Sequence, residues 1–278
     1  MRTSIVVFLL ACFLPLAGKS EQPYAVIAGG SKGIGFAIAE ALAKRGFNLL
    51  LIARHEDGLQ KARARLEPAY AIRIRTLALD LADTSSTLAI RDFCVRENLP
   101  VKMLCNVAGL GGADDFLKMP LDSLRYMIRL NLESVMALTL VMIPLLEKQA
   151  PAYILNVSSM AGFAPIPSKN LYAATKSGVT FLSYGLRYQL KDRGISVSYL
   201  APGPVFTKKE IEERTRRQLG WFGMQMAVKP ARVGELAVRK TLQGRMVIVP
   251  GTLAHLSSIG LRVLPRRWST AIYSNVRE

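Results

Sequence analysis

Short apolar segments alternate along this chain with longer segments whose apolar residues recur at helical spacing, and this alternation constrains the fold most strongly. Continuous apolar runs predict buried strands, and the intervening segments predict amphipathic helices. The seven predicted strands span residues 24–28, 48–53, 72–79, 101–107, 152–157, 195–200 and 245–249. The predicted helices span residues 34–45, 57–67, 85–97, 121–149, 171–193 and 232–243, and Pro144 is expected to kink the longest of them.

This order of strands and helices predicts an α/β fold. Buried strands joined by helices form a parallel sheet that is covered on both faces. Right-handed crossovers then give a doubly wound (Rossmann) sheet with seven parallel strands and helices on both faces. Residues 72–79 alternate polar and apolar side chains, so we expect this strand near a sheet edge. Ligands bind beyond the carboxyl ends of the strands in such folds, and we expect the functional residues in the loops there.

The composition divides the chain into three parts. Half of the 278 residues are hydrophobic and no low-complexity run interrupts residues 22–251, so we predict one domain there. Residues 1–20 form an apolar appendage, and residues 252–278 form a basic extension. The three cysteines, Cys12, Cys94 and Cys105, have neither paired nor metal-binding spacing, so we expect no disulfide framework and no metal site. Cys94 and Cys105 are expected to be small core residues.

The formal net charge of +17 narrows the choice of partners. Part of it is expected to be ordinary solvated surface. The rest suits an anionic cofactor, an acyl-CoA or acyl-carrier substrate, or an anionic membrane surface. Nucleic acid is a weaker interpretation, because the basic residues are spread over helices and no recognised nucleic-acid motif is present.

The first predicted strand is followed by the glycine-rich sequence AGGSKGIG at residues 28–35 and then by a helix. Glycines let the backbone turn sharply and approach a pyrophosphate without a Cβ in the way. The free N–H groups and the dipole at the helix start favour the anion. A tight turn without a ligand is the alternative, but the position between strand and helix favours a dinucleotide. The residues predicted to hold it are Gly29, Ser31, Lys32, Gly33, Ile34 and Gly35.

The spacing G-x-x-x-G-x-G in this loop resembles that of the short-chain dehydrogenase/reductase family. Ala28 stands where that family usually has Thr, which removes a hydroxyl but leaves the glycines. The resemblance covers residues 22–251 and implies an oxidoreductase that acts on C=O or CH–OH groups.

The end of the second predicted strand indicates which dinucleotide binds. An NAD enzyme places an acidic residue there to bond the ribose 2′-hydroxyl. Here Ala53 occupies that place, Arg54 follows it, and Lys32 lies in the phosphate loop, so two cations would meet a 2′-phosphate. We therefore predict NADP(H), with the alternative that Lys32 and Arg54 are solvated surface charges. His55 is expected to be an exposed loop residue without a role.

The family resemblance extends the cofactor site to two further loops. The loop after the third strand resembles the site at which the family's carboxylate meets the adenine amino group. The sequence NVAG at residues 106–109 resembles the family's N-N-A-G and departs from it at the second position. The residues implied are Asp80, Leu81, Asn106, Ala108 and Gly109.

Tyr172 and Lys176 lie four residues apart in a predicted helix and therefore share one face. This spacing alone is common by chance, but NVSS at residues 156–159 precedes it and PGPVFT at residues 202–207 follows the next strand. In the family that the chain resembles, Ser, Tyr, Lys and a helical Asn form a catalytic tetrad. The resemblance implies that Ser159, Tyr172, Lys176 and Asn131 form it here, whereas Ser158 is expected to pack or bond locally.

Reduction of a ketone requires a hydride and a proton. Tyr172 is predicted to supply the proton, and Lys176 to lower the pKa of that phenol. Ser159 is expected to hydrogen-bond the carbonyl oxygen, and the Asn131 side chain to hold a water that relays protons to Lys176. Tyr172 and Lys176 are also implied to contact the cofactor. The residues implied to seat the nicotinamide are Pro202, Gly203, Val205 and Thr207.

The segment 208–230 corresponds to the family's variable substrate lid. Its residues Trp221, Phe222, Met224 and Met226 either line an apolar pocket mouth or pack the lid on the domain. The loops 109–112 and 160–167 are small or apolar and are expected to form the other walls, which favours a lipid-like ketone over a sugar. A steroid, a retinoid, a 3-oxoacyl thioester and a xenobiotic ketone all remain open as substrates.

The basic extension has the pattern of an amphipathic helix at a membrane surface. An oligomer contact or a lid contact is the alternative, and the likeness to the tails of membrane-associated steroid and 3-ketoacyl reductases is loose. A homodimer or homotetramer is expected. The residues that carry the pattern are Leu253, Leu256, Ile259, Leu261, Arg262, Leu264, Arg266, Arg267 and Trp268.

Residues 4–17 read SIVVFLLACFLPLA, which as a helix spans about 21 Å and falls short of a bilayer core of about 30 Å. A cleaved signal or a lipoprotein signal ending at Cys12 is open, but an exported enzyme would lack NADPH. We therefore favour a short membrane anchor. It would hold the protein at a membrane in a reducing, NADPH-supplied compartment, with the cytoplasmic side preferred. A catalytically silent NADP(H)-binding sensor or scaffold is the alternative function, although such a protein has no need for the tetrad spacing.

Overall fold

The computed structural model describes residues 22–111, 115–206, 213, 216–217 and 224–274. The strands are β1 Tyr24–Ala28, β2 Asn48–Ala53, β3 Ile74–Ala78, β4 Val101–Asn106, β5 Ala152–Val157, β6 Ile195–Leu200 and β7 Val247–Ile248. They form one parallel sheet in the order β3-β2-β1-β4-β5-β6-β7. The predicted doubly wound α/β fold is confirmed, and β3 is an edge strand, as its alternating sequence indicates.

Helices cover both faces of the sheet. They are α1 Gly33–Ala43, α2 Glu56–Leu66, α3 Ser86–Arg96, α4 Leu121–Ile128, α5 Ser134–Glu147, α6 Asn170–Gln189, α7 Pro230–Leu242, α8 Thr252–Val263 and α9 Arg266–Ser274. Successive side chains of a strand point to opposite faces. Ile27 therefore joins a core with Ile38 of α1 and Ala237 of α7, whereas Val26 joins a second core with Leu138 of α5. Both faces of β1 are buried, which explains its continuous apolar sequence.

The longest predicted helix, residues 121–149, is interrupted in a different place from the one expected. The π-helical segment Arg129–Glu133 separates α4 from α5, and Pro144 lies within α5. Such π-helical turns often occur at functional sites. The run Leu121–Glu147 is long and apolar enough to cross a membrane, but Met142 and Leu146 are fully buried against the sheet, as in a core helix.

The basic extension forms two helices, α8 and α9, where one was expected. Leu261, one of the residues expected to carry the membrane-surface pattern, is buried in a small core together with Ala254 and Phe163 and does not belong to that surface. The outward face of α8 carries Leu256 and Ile259 instead. The predicted anchor at residues 1–20 and Cys12 lie outside the described residues.

The two cysteines in the described chain are core residues, as predicted. Cys94 and Cys105 are buried and free. Burial raises the pKa of the Cys94 thiol to about 12, so it stays protonated and unreactive at neutral pH.

The strand order reverses between β1 and β4, which are neighbours in the sheet. At this switch point the loops that follow the two strands diverge to opposite faces and leave a crevice beyond the carboxyl ends. The loops after β5 and β6 lie along the same edge, because parallel strands all end there. The residues predicted from the sequence therefore gather at one edge of the sheet.

Candidate active site

The loop between β1 and α1 brings its backbone against the loop that follows β4. Gly29 has a φ of +99°, and a Cβ there would lie 2.6 Å from the backbone nitrogen of Ala108. A Cβ on Gly35 would lie 1.9 Å from the carbonyl oxygen of Gly29. Both positions require glycine, and the first turn of α1 consequently lies directly on the loop, where its free N–H groups can meet an anion.

A cleft of about 570 Å³ opens beside this loop, a volume typical of cofactor sites. The predicted cofactor residues that line it are Gly29, Ser31, Lys32, Gly33, Ile34, Gly35, Arg54, Leu81, Ala108 and Gly109. The other lining residues are Ala53, His55, Asp57, Gly58, Lys61, Leu79, Val107 and Leu130. The glycines that line the cleft leave space that a Cβ would occupy, and they lie at the start of a helix. This arrangement fits the pyrophosphate of a dinucleotide.

Basic side chains dominate the end of the cleft beside β2. Lys32, Arg54 and Lys61 line it there, next to the uncharged Ala53. Lys61 lies 3.7 Å from the exposed carboxylate of Asp57, one turn earlier in α2. This excess of positive charge fits a phosphate on the adenosine ribose better than a free 2′-hydroxyl.

Asp80 lies behind the cleft, outside the set of residues that line it. Its carboxylate accepts a hydrogen bond from the backbone N–H of Ala82 at 3.0 Å and another from the Tyr126 hydroxyl at 3.2 Å. The same hydroxyl accepts a hydrogen bond from Nη1 of Arg54 at 2.8 Å. Asp80 is therefore connected through Tyr126 to a cation that does line the cleft.

The Asn106 side chain was expected to contact the cofactor, but it is buried beneath the site. Its side chain is 3% exposed and donates to Oγ1 of Thr139 at 3.0 Å and to Oδ1 of Asn156 at 2.8 Å. Asn156 in turn donates to Ser183 at 3.0 Å. Because both amide hydrogens of Asn106 are donated within the protein, the side chain ties β4 to β5 and α5 beneath the site.

Tyr172, Lys176 and Ser159 meet at the carboxyl end of β5. The Tyr172 phenol is hydrogen-bonded to the Ser159 side chain, and Nζ of Lys176 lies 5.9 Å from the centroid of the Tyr172 ring. Lys176 is 3% exposed and donates to the carbonyl oxygen of Val157 at 2.9 Å. Ser159 also accepts a hydrogen bond from the backbone N–H of Ala161 at 3.1 Å, which fixes the orientation of its hydroxyl.

Burial dominates the pKa values of this group. It raises the pKa of Tyr172, and the hydrogen bond from Ser159 opposes that increase. Burial also lowers the pKa of Lys176 to about 8. Burial thus outweighs the lowering of the phenol's pKa that we expect from the Lys176 ammonium, and that role of Lys176 stays a prediction. A raised pKa keeps Tyr172 protonated at neutral pH, which is the state that a proton donor needs.

Asn131 is fully buried in the π-helical segment, beside Tyr172 and Lys176 in the folded chain. Its Oδ1 accepts from the backbone N–H of Leu110 at 2.8 Å, and its Nδ2 donates to the carbonyl oxygen of Leu110 at 2.8 Å. The amide also donates to Oγ1 of Thr175 at 3.3 Å. Both amide hydrogens are donated to the protein, which leaves the second lone pair of Oδ1 as the group that could hold the expected relay water, and that role stays a prediction. Asn131 also holds the loop after β4 against α6.

That loop passes directly over the side chains that the sequence predicts to be catalytic. A Cβ on Gly109 would lie 3.2 Å from Nζ of Lys176 and 3.3 Å from Oδ1 of Asn131. A Cβ on Gly111 would lie 3.4 Å from Cε2 of the Tyr172 ring. The small residues expected to form a wall of the site thus let the backbone contact the tetrad positions, while residue 112 lies outside the described chain.

Ser158 is a structural residue, as expected. Its hydroxyl donates to the carbonyl oxygen of Lys176 at 2.9 Å and lies 2.7 Å from Oγ1 of Thr180. A Cβ on Gly162 would lie 2.8 Å from the same hydroxyl, so the turn after Ser159 packs closely on α6.

The loop after β6 lies beside the Ser159 segment. The carbonyl oxygen of Pro202 accepts from the backbone N–H of Met160 at 3.1 Å, and Val205 is 8% exposed in the core under α7. Gly203 faces Met226, since a Cβ there would lie 3.5 Å from the Met226 carbonyl oxygen. Thr207 lies outside the described residues.

The predicted substrate lid is described only in part. Trp221 and Phe222 lie outside the described residues, whereas Met224 and Met226 lie in a short helical turn. Met226 packs against the core around Phe163, which favours packing of the lid on the domain at this position.

Sequence reasoning missed several residues around the site. His55 is exposed, as expected, but it lines the cleft from the position just before α2, and Lys61 lines it from within α2. Their positions, two and eight residues after the end of β2, are a signal that could have found them. Tyr126 contacts Arg54 across 72 residues of sequence, and no local pattern indicates that contact.

Comparisons with known proteins agree with this geometry. The family model for short chain dehydrogenases matches residues 23–218. Curated relatives include very-long-chain 3-oxoacyl-CoA reductase-A of Danio rerio, 34% identical over 198 residues that cover 70% of this chain and 60% of that protein. The very-long-chain 3-oxoacyl-CoA reductase of Mus musculus is 34% identical over 197 residues, 69% of this chain and 62% of that protein. The chain therefore spans about three fifths of the length of these relatives.

Solved structures share the fold over nearly the whole chain. A short-chain dehydrogenase from Sphingobium yanoikuyae in complex with NADPH superposes with a TM-score of 0.73 and 27% identity, covering 92% of this chain and 97% of that one. A bulky-bulky ketone specific alcohol dehydrogenase from Comamonas testosteroni gives a TM-score of 0.74 and 25% identity, covering 93% and 96%.

Proposed function

The chain belongs to the short-chain dehydrogenase family, and from that premise we propose that it is an NADPH-dependent oxidoreductase that reduces a ketone or aldehyde to an alcohol. The same site would catalyse the reverse oxidation, and the NADP(H) preference favours reduction. The observation that carries the proposal is the hydrogen bond between Tyr172 and Ser159, which lies beside the buried Lys176. This group is next to the cleft that the glycine-rich loop lines.

The proposed chemistry divides between cofactor and protein. When bound, the reduced nicotinamide supplies the hydride. Ser159 donates a hydrogen bond to the substrate carbonyl oxygen and holds it toward Tyr172. Tyr172 is protonated at neutral pH, because its pKa is raised, and it donates that proton to the developing alkoxide. Lys176 carries the positive charge that stabilises the phenolate left behind, and Asn131 holds the loop after β4 over both side chains.

The preference for NADPH rests on charge. Lys32, Arg54 and Lys61 line the ribose end of the cleft, where an NAD enzyme places an acidic residue beside the strand. Each charge-assisted hydrogen bond to a phosphate contributes about 1.5–3 kcal/mol. The similar Sphingobium yanoikuyae protein was solved with NADPH, which supports the same choice here.

The proposed substrate is a long-chain 3-oxoacyl thioester or a similarly lipid-like ketone. Two curated relatives at 34% identity are named very-long-chain 3-oxoacyl-CoA reductases. The loop that leads from Ser159 toward Tyr172 places Met160 and Phe163 in an apolar cluster with Met226, which suits an acyl chain better than a sugar. A silent sensor on the same fold gains no support from these relatives, because their names describe reductases.

The proposed setting is a membrane surface on the NADPH-supplied side. Leu256, Ile259 and Val263 recur along the outward face of α8 and are 61%, 46% and 78% exposed. Residues 252–274 contain three arginines and neither Asp nor Glu, so the surface around this apolar face is basic and complements anionic lipids. In this proposal residues 1–20 add an anchor, residues 22–251 form the catalytic domain and residues 252–278 form the membrane-facing extension.

A homodimer is the proposed assembly. Leu140 of α5 and Phe181 and Tyr188 of α6 are 70%, 69% and 77% exposed, on two helices that pack on the same core. Such large apolar side chains are rarely left in water together, and a second copy would cover them. Sedimentation velocity on the full chain would measure the state, and a monomer at high concentration would refute it.

The activity is tested by NADPH oxidation with purified full-length protein on a panel of carbonyls. The panel contains a long-chain 3-oxoacyl-CoA, a steroid ketone and a keto sugar. We expect turnover of the 3-oxoacyl-CoA, and loss of about 10²–10⁴-fold in kcat for Tyr172→Phe with NADPH binding nearly intact. Tyr188→Phe, which removes an exposed phenol of the same helix, is the control. No turnover of any carbonyl, or full activity in Tyr172→Phe, would refute the proposal.

A further inference from the structure

Three side chains from different parts of the chain meet behind the basic end of the cleft, and one of them, Arg54, also lines it. Nη1 of Arg54, just after β2, donates to the hydroxyl oxygen of Tyr126 at 2.8 Å, and its guanidinium carbon lies 6.0 Å from the centroid of the Tyr126 ring. The same hydroxyl donates to the carboxylate of Asp80, just after β3, at 3.2 Å from Oδ2 and 3.4 Å from Oδ1. The phenol of α4 thus joins a cation on one loop to an anion on the next.

The uncharged Tyr126 phenol separates two residues of opposite charge, Arg54 and Asp80. Arg54 and Asp80 attract one another, and a direct ion pair would turn the guanidinium away from the cleft and toward the carboxylate. In the part of the chain that the structure describes, Arg54 makes no ion pair, and its contact with Asp80 runs through the phenol. A guanidinium has five N–H donors, so the bond to Tyr126 leaves others for a ligand in the cleft that Arg54 lines.

We propose that Tyr126 is a positioning residue for cofactor selection, which holds Arg54 and Asp80 apart and aims the guanidinium at the 2′-phosphate of NADPH. This role rests on the proposed function, and it assigns the discrimination between NADPH and NADH partly to a residue on α4 that contributes no charge. Burial of the phenol and the nearby Asp80 raise the pKa of Tyr126, so its proton stays available for the carboxylate.

The test compares the dissociation constants of NADPH and NADH, measured by fluorescence titration of the full-length protein without substrate. Tyr126→Phe retains the ring and removes the hydroxyl. We expect the dissociation constant of NADPH to rise about tenfold and that of NADH to change by less than about threefold. Tyr70→Phe is the matched control, because the Tyr70 hydroxyl also lies near a carboxylate, that of Glu40 at 3.4 Å, outside the set of residues that line the cleft.

A second variant tests whether the phenol acts through Arg54. In an Arg54→Met background, we expect the further change Tyr126→Phe to leave the ratio of the two dissociation constants unchanged. Thermal unfolding without cofactor separates this role from a structural one, and we expect Tyr126→Phe and Tyr70→Phe to unfold at similar temperatures.

The outcomes are distinct for the two proposals. Two results would overturn the role of Tyr126 and leave the proposed function standing. The first is a ratio of the NADPH and NADH dissociation constants that Tyr126→Phe leaves unchanged, including the case in which both cofactors bind equally more weakly. The second is a further change in that ratio when Tyr126→Phe is added to Arg54→Met. A wild-type protein that binds NADPH no better than NADH would overturn the proposed cofactor, and the role of Tyr126 with it.

Discussion

Lys176 is an amine that the fold keeps almost completely out of water. The side chain is 3% exposed, its Nζ donates to the Val157 carbonyl oxygen, and burial lowers its pKa from 10.5 to about 8. Between these two values the folded protein binds fewer protons than the unfolded chain. The free energy of unfolding therefore rises with pH across this window, and the full penalty for burying the charge is present below about pH 8.

This penalty leads to a prediction for Lys176→Met. The change removes the buried charge and leaves the Val157 carbonyl oxygen without its donor, so the net stabilisation at pH 7 is expected to be about 2 kcal/mol. The gain should shrink as pH rises through the window toward pH 10.5, while activity is lost at every pH. Urea unfolding at pH 7 and at high pH measures both values.

The matched control is Lys118→Met, whose side chain is 85% exposed and whose effect on stability should not vary over the same range. A Lys176→Met protein that is less stable than wild type at neutral pH would contradict this account of the site.

Gly35 carries the strongest steric requirement among the glycines of the cofactor loop. A Cβ there would lie 1.9 Å from the carbonyl oxygen of Gly29, so Gly35→Ala must push α1 away from the loop. We expect a loss of about 2–3 kcal/mol in stability and loss of NADPH binding, measured by thermal unfolding and titration. Gly185→Ala in α6, whose Cβ would meet nothing within 4 Å, should instead stabilise by about 0.5–1 kcal/mol. Equal behaviour of the two variants would contradict the close contact.

Among the elements, the most accurately predicted are the strands whose first and last residues are set by their immediate neighbours in the sequence. β1, β2, β5 and β6 have their predicted bounds, because each is an apolar run with a glycine or polar residue directly beyond at least one end. The division of the long helix was not predictable, because the π-helical turn accompanies contacts of Asn131 with Leu110, 21 residues away. Helical periodicity carries no information about such contacts.

In the candidate site, too, the features set by local sequence were predicted and those set by distant contacts were not. The glycine loop and the Tyr172 and Lys176 pair follow from spacing, because both lie within one strand-to-helix turn or one helix. The contact of Arg54 with Tyr126 spans 72 residues, and the contact of Arg266 with the Phe163 carbonyl oxygen spans 103. These depend on the packing of whole elements, so the sequence indicated the residues' charges but not their partners.

The contact of α9 with the loop after β5 predicts that α9 supports the position of Ser159. Arg266 donates to the carbonyl oxygen of Phe163, and the Arg262 guanidinium lies 5.4 Å from the centroid of the Phe163 ring. This loop begins at Ser159, so Arg266→Met should loosen the hydroxyl that we propose orients the substrate. We expect kcat/KM to fall about fivefold with NADPH affinity unchanged. Arg267→Met, an exposed neighbour, is the control, and equal kcat/KM values for the two variants would refute the role of α9.

For the whole molecule, α8 and α9 connect two surfaces. Their inner side packs on Phe163 through Ala254 and Leu261, next to the segment that carries Ser159. Their outer side carries Leu256 and Val263, which are 61% and 78% exposed. A lipid-like substrate dissolved in a membrane would therefore reach the apolar wall of the site from the side on which the extension faces the lipid. This arrangement ties the proposed substrate class to the proposed location.

Vesicle binding tests that arrangement. In the full chain and in a chain lacking residues 1–20, the double variant Ile259→Glu and Val263→Glu places two charges on the outward face of α8. We expect the partition coefficient onto vesicles with anionic phospholipid to fall at least about tenfold, since each buried side chain contributes about 1.5–3 kcal/mol. Val95→Glu, which also charges an exposed apolar residue (56% exposed, on α3) but lies outside the proposed dimer face, should leave binding unchanged. Zwitterionic vesicles should bind the wild type more weakly, because the arginines of the extension then lose their counter-charges. Unchanged binding of the double variant in the shortened chain would show that α8 does not face the membrane.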